Sequence, residues 1–100
     1  MKIVTFNEFD TSFIDGKHTV EHFKNSTGDA QVAIIDIDTI FDFEENKGSA
    51  CADKFISVAV IDDDNDYDAF KNFGIDSWIK SSDLKDLNAL LNLIEKRSLS

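Results

Sequence analysis

The run VAIIDI at residues 32–37 decides the fold. Its first four residues are apolar and three of them are β-branched, with none of the polar alternation expected of a strand that has one wet face. A strand of this kind is buried on both sides, as in a parallel sheet with helices above and below. Working outward, KIVTF at residues 2–6 and FISVAVI at residues 55–61 read as further strands, the second ending abruptly in Asp62-Asp63-Asp64-Asn65-Asp66. SWIK at residues 77–80, after the turn-like Asn72-Phe73-Gly74, is a fourth.

Helical segments are expected between the strands. Residues 17–25 follow Asp15-Gly16 and place Val20 and Phe23, with His18, on one face before Ser26-Thr27-Gly28 stops them. Residues 66–73 space Tyr67, Phe70 and Phe73 helically before a capping Gly74. The last segment is the clearest. Ser82 or Asp83 caps a stripe of Leu84, Leu87, Leu90, Leu91 and Ile94, and Lys96 and Arg97 suit the negative end of its dipole. Residues 42–53 carry an internal glycine and weak periodicity, which predicts a frayed helix or a loop. Strands alternating with helices imply an α/β fold with a parallel sheet of about four strands, and residues 1–100 read as a single domain.

The composition narrows the function. Twenty acidic against ten basic residues give a formal charge of −10, a field that repels phosphate backbones and anionic lipid, so neither nucleic acid nor membrane is an expected partner. A basic protein surface or a divalent cation is compatible with it. Cys51 is the single cysteine, which rules out an intrachain disulfide and fits a reducing cytoplasm. No stretch has the roughly 18 apolar residues of a membrane helix, and Met1-Lys2-Ile3-Val4 leads into a strand rather than a signal peptide.

In an open parallel sheet the working crevice lies beyond the carboxyl ends of the strands. Those ends are acidic: Asn7 and Glu8 after the first, Asp36 and Asp38 after the second, Asp62 to Asp64 after the third. Glu8, Asp36 and Asp62 are thus candidate oxygen ligands for a hard cation such as Mg2+. No cofactor is otherwise required.

This order of features, with IIDID, then FISVAVI and its acidic loop, then FGIDSWIK and an amphipathic last helix, resembles the response-regulator receiver family over residues 29–96. The resemblance implies a flavodoxin-like three-layer sandwich and a role in two-component signalling or a phosphorelay. It makes Asp36 the phosphoacceptor equivalent, and it replaces the family's acidic pair by Asn7-Glu8, which retains one carboxylate for metal. The family chemistry needs a carboxylate nucleophile, a divalent cation, a hydroxyl that reports the phosphate and a lysine that pairs with it. Here the hydroxyl position falls at Asp62, whose charge repels phosphate. The lysine position falls at Ser81, with Lys80 one residue early and, by strand alternation, on the opposite face. Trp78 occupies the aromatic switch position. The resemblance is therefore to a degenerate receiver, a pseudo-receiver, that acts through protein–protein interaction and is not an enzyme.

Residues 8–31 have room for one helix with loops, whereas the family runs through helix, strand and helix there. One helix and one strand are expected to be missing. The apolar face so exposed predicts a homodimer with Phe6, Phe9 and Phe13 at its interface, against the alternative that they fold back over their own core. Two other functions compete. A phosphorylatable single-domain regulator would use Asp36, Glu8 and Mg2+ with Lys80 slipped into place. A small phosphatase resembling the haloacid dehalogenases would use Asp36 as nucleophile and Asp38 as acid/base, although Thr39 follows Asp38 without that family's intervening residue. His18 and His22, at i and i+4, read as a solvated pair, and Cys51 as a small core or loop residue.

Overall fold

The computed structural model describes residues 1–7 and 11–98. Five strands form one all-parallel sheet: β1 (Lys2–Thr5), β2 (Thr19–His22), β3 (Ala30–Asp36), β4 (Cys51–Ile61) and β5 (Ser77–Lys80), in the spatial order β2-β1-β3-β4-β5. Helices α1 (Ile40–Ala50) and α2 (Asp66–Phe70) follow β3 and β4, and α3 (Leu87–Ser98) closes the chain. The α/β class and the flavodoxin-like order agree with the sequence, and the strand count is corrected from four to five. Among the described residues no helix is long and apolar enough to cross a membrane.

β3 behaves as its composition requires. Val32 and Ile34 face one core with Ile3, Val58, Val60 and Ile79, beneath Leu87, Leu91 and Ile94 of α3. Ala33 and Ile35 face the other with Val4, Ala59 and Ile61, beneath Ile40 and Phe43 of α1 and Phe70 of α2. Burial of each Ile or Val contributes about 1.5–3 kcal/mol, so the strand that both cores share is the most heavily anchored. The α3 stripe predicted from the leucines is the one that packs. The segment read as frayed is an ordered helix, because Phe43 and Ala50 are buried despite Gly48 between them. β4 also starts earlier than expected, at Cys51 beside Ala30, and an irregularity precedes the regular register at Val32 and Ile56.

The largest correction lies before β3. Residues 19–22 are an edge strand paired with β1, not part of a helix, and a 3-10 turn follows over Phe23–Asn25. Two apolar residues three apart are weak evidence for a helix, and Thr19-Val20 is β-branched. No strand is therefore missing; among the described residues, α-helices are absent from the connections after β1 and after β2, which carry only one 3-10 turn each. Two tight segments replace them. On the α3 side Phe13 and Ile14 pack against the core. On the other side Phe23 stacks on Phe6 with ring centroids 4.8 Å apart, and Phe6 meets Phe43 edge-on.

A helix-free crossover is possible because β2 is short. Its return path drops roughly 13 Å along the strand and crosses about 10 Å of sheet, which residues 23–29 span with the 3-10 turn rising roughly 2 Å per residue and the rest roughly 3.3 Å. Polar contacts hold this path down. The Ser26 hydroxyl donates to the Ala50 carbonyl at 2.8 Å and accepts from Gly28 N–H at 3.2 Å. Gly28 has φ +86°, and a Cβ there would lie 2.8 Å from the Ser49 carbonyl oxygen, so no side chain fits. The Lys2 ammonium meets Asp29 at 2.7 Å and Glu21 at 3.5 Å, and also bonds the Thr27 hydroxyl. Its hydrogen bond holds the exposed Asp29 carboxyl below the usual range, aided by Thr27, and Asp29 in turn raises Lys2.

Candidate functional site

The chain leaves β1 toward β2 on one side and β3 toward β4 on the other. Their carboxyl ends therefore diverge, and a crevice opens where loops do not fill it. A cleft of about 400 Å³ lies there, lined by Phe6 and Asn7 after β1, His22, Phe23 and Lys24 at the end of β2, Asp36, Asp38 and Thr39 after β3, and Asp42 on α1.

Asp36 is held firmly. It caps the 3-10 turn Ile37–Thr39 that leads into α1, its Oδ1 accepting from Thr39 N–H at 3.1 Å and from the Thr39 hydroxyl at 2.9 Å. The hydroxyl accepts in return from Asp36 N–H at 3.1 Å. This reciprocal capping box satisfies the turn's free donors. The Asp36 to Thr39 spacing was a readable signal for it, and reading Asp36 only as a strand-end acid missed it.

Asn7 lies on the inner wall. It is 7 % exposed, and its Oδ1 is buried without a hydrogen-bond partner among the described residues. An unmet buried acceptor costs about 1–3 kcal/mol. His22 stands at the mouth, its Nδ1 accepting from Lys24 N–H at 3.4 Å and its ring 4.8 Å from Phe23. The sequence paired it with His18, yet His18 is buried before β2, with neither ring nitrogen hydrogen-bonded among the described residues. The solvated pair is thus corrected: one histidine is buried, and the other lines the cleft.

Of the remaining expected residues, Glu8 and Phe9 lie outside the described residues. Asp62 is exposed and does not line the cleft. In its loop Asp66 organises the chain, its Oδ2 accepting from Asp62 N–H at 3.2 Å and Asp63 N–H at 3.3 Å. Among the described residues no three His, Cys, Asp or Glu side chains are grouped to hold a metal ion. Lys80 pairs with Asp64 at 2.9 Å, and that hydrogen bond raises its pKa. Trp78 packs on Tyr67 at 4.9 Å and Phe70 at 5.7 Å. Ser81 begins the 3-10 stretch Ser81–Asp86. Trp78 and Lys80 share a second groove with Tyr67, Asp83, Asp86 and Leu90, apart from Asp36.

Of the proposed interface phenylalanines, Phe6 is 2 % exposed within the protein's own core, which withdraws it from the surface, and Phe13 is partly buried. Among the described residues the exposed large apolar side chains are Phe41, Tyr67 and Leu93. Asp76 ties β5 to β4: its Oδ2 accepts from Ser57 N–H at 2.9 Å and the Ser57 hydroxyl at 3.0 Å, and its own N–H donates back at 3.0 Å. Burial raises the Cys51 thiol to about 11, which keeps it protonated and unreactive at neutral pH.

Compared with protein-family models, with curated proteins and with solved structures, the chain finds no match.

Proposed function

We propose that this domain is a receiver-like binding module that acts through a protein partner and is not switched by aspartyl phosphorylation. The observation that carries this reading is the commitment of Asp36 to its capping box. A phosphoacceptor uses one carboxylate oxygen to attack and its other to hold the divalent cation, whereas Oδ1 of Asp36 accepts two hydrogen bonds that hold the start of α1 and leaves Oδ2 alone for both tasks. Two further features support it. Asp62, which the resemblance sets at the position of the phosphate-reporting hydroxyl, is an exposed acid, and Lys80 is engaged by Asp64 in a groove separate from the cleft.

The test is incubation of the full chain with a small-molecule phosphodonor and Mg2+, followed by intact mass. No gain of mass is expected. A stable gain of one phosphate that Asp36→Asn abolishes would overturn the reading in favour of a phosphorylatable regulator, and phosphate release from simple esters would overturn it in favour of a phosphatase.

A further inference from the structure

Helix α3 carries more apolar surface than the core uses. Leu87, Leu91 and Ile94 face the sheet and are buried. On one flank Asn88 accepts from Asp15 N–H at 2.6 Å and Glu95 meets the Met1 ammonium at 3.8 Å, so that side is occupied by the chain itself. The other flank, beside the edge strand β5, holds a second stripe. Asp86, which ends the 3-10 stretch leading into α3, is followed by Leu90, Leu93 and Arg97, and the spacing i, i+4, i+7, i+11 sets all four on one line along the helix. Leu93 is 43 % exposed. Leu90 stands between two grooves, one reaching Asp86 and the other Leu93 and Arg97. Neither Asp86 nor Arg97 forms an ion pair among the described residues.

We infer that this flank is the contact of a homodimer in which two α3 helices pack antiparallel across a two-fold axis. The stripe is complementary to itself: from either end it reads as a charge, two leucines and the opposite charge. An axis passing between residues 91 and 92 sets Asp86 opposite the partner's Arg97 and Leu90 opposite the partner's Leu93. The same contacts recur on the other side of the axis, as an isologous interface requires. Burial of the leucines supplies the attraction, and the ion pairs fix register and direction, because a parallel pair would set like charges side by side. A purely basic or purely acidic partner would satisfy only half of the stripe, whereas a second copy satisfies all of it. Ala89, exposed beside the stripe, is small enough for the helix axes to approach to about 8 Å. A helix of 12 residues is about 18 Å long, so the contact is at the low end of specific interfaces and the dimer is weak. The inference goes beyond the binding-module reading and stands without it.

The experiment is sedimentation of the full chain up to about 1 mM, at about 0.15 M salt, where a Debye length of about 8 Å screens the net charge of −10 between copies but not charges in contact. A monomer–dimer equilibrium is expected, with a dissociation constant on the order of 100 µM. Leu93→Asp, at an exposed position, should weaken it by at least about tenfold. Asp86→Arg and Arg97→Asp, each alone, turn both ion pairs into like-charge pairs and should weaken it by about tenfold. An equimolar mixture of these two variants restores opposite charges at both ends, and should form a heterodimer as tight as the original dimer. Lys54→Asp, at an exposed residue of β4 that lines neither groove, makes the same charge change as Arg97→Asp and should leave the dimer unaltered. Thermal melting by circular dichroism checks that each variant folds; if Leu93→Asp does not, the charge variants decide, and the reverse.

A strict monomer at about 1 mM, an affinity on the order of tenfold below the expected one, would overturn the inference and leave the stripe to a different protein. A dimer that survives Leu93→Asp, or either charge reversal alone, would overturn it in favour of another face of the molecule. So would two folded charge variants that do not associate when mixed. None of these readouts depends on phosphorylation, so a monomer leaves the proposed function standing, and a phosphorylated Asp36 would sink that function without altering the sedimentation of the unphosphorylated chain.

Discussion

The two halves of the sheet make the same parallel connection by different means. From β3 onward each crossover carries a helix, and α1, α2 and α3 bury Phe43, Phe70, Leu87 and Leu91 against the strands. From β1 to β3 no α-helix is present among the described residues, and Phe13, Ile14 and Phe23 cover the sheet from short turns. The helix in such a crossover is therefore a way of covering apolar surface rather than a condition for parallel pairing. A four-residue strand, a tight turn and one aromatic ring achieve the same end. Without helices in these connections, the space beyond β1 and β2 holds the cleft around Asn7 and Asp36.

The comparison breaks most visibly at the helices. Phe43→Ala removes a buried ring that Phe6 and Phe55 both touch and should cost about 3–5 kcal/mol, whereas Phe23→Ala, at a partly buried ring, should cost no more than about half of that. Urea unfolding of both variants checks the pair; equal losses would show that the helix-free half is as tightly packed as the other. Next in size is Gly28→Ala, which forces a side chain into a left-handed φ and against the Ser49 carbonyl, at about 2–4 kcal/mol. Gly74→Ala, also at positive φ but with open space around it, should lose less. A similar loss at both sites would mean that backbone strain alone, not the close approach of crossover and helix, decides the cost.

The smallest effect probes the seam where the halves meet. Cys51 pairs with Ala30 at the start of β3. Its thiol titrates at about 11 in the fold against 9.0 for the ordinary group, because burial disfavours the thiolate. Above pH 9 the unfolded chain releases this proton first, so it binds fewer protons than the native state and stability falls as pH rises. The contribution is intact below pH 9 and lost toward pH 11, on the order of 2 kcal/mol. Denaturation curves of the chain and of Cys51→Ala between pH 8 and pH 11 should diverge in slope there. Parallel curves would show the thiol to be solvated.

The sequence was legible where one segment carries its own pattern. VAIIDI could only be a doubly buried strand, and the leucines of α3 repeat over three turns, so local periodicity and burial agree. The second strand was misread because residues 17–25 hold too few apolar positions to separate a period of 3.6 from a period of 2, and pairing with β1 settled the matter. The site divides along the same line. Asp36 stood out as an acid closing a buried strand, and its place in a cleft follows from the order of the sheet. Its restraint by Thr39 was written in their spacing and overlooked. The unmet Asn7 acceptor and the turn of His22 into the cleft had no sequence signal at all. They depend on which strands become neighbours and on what covers them. Composition and periodicity thus determined the class of fold and its central strand, because those follow from where each segment meets water. Tertiary structure alone decided the fifth strand, the helix-free crossovers and the contents of the cleft, because these arise from contacts between segments that carry no mark of one another.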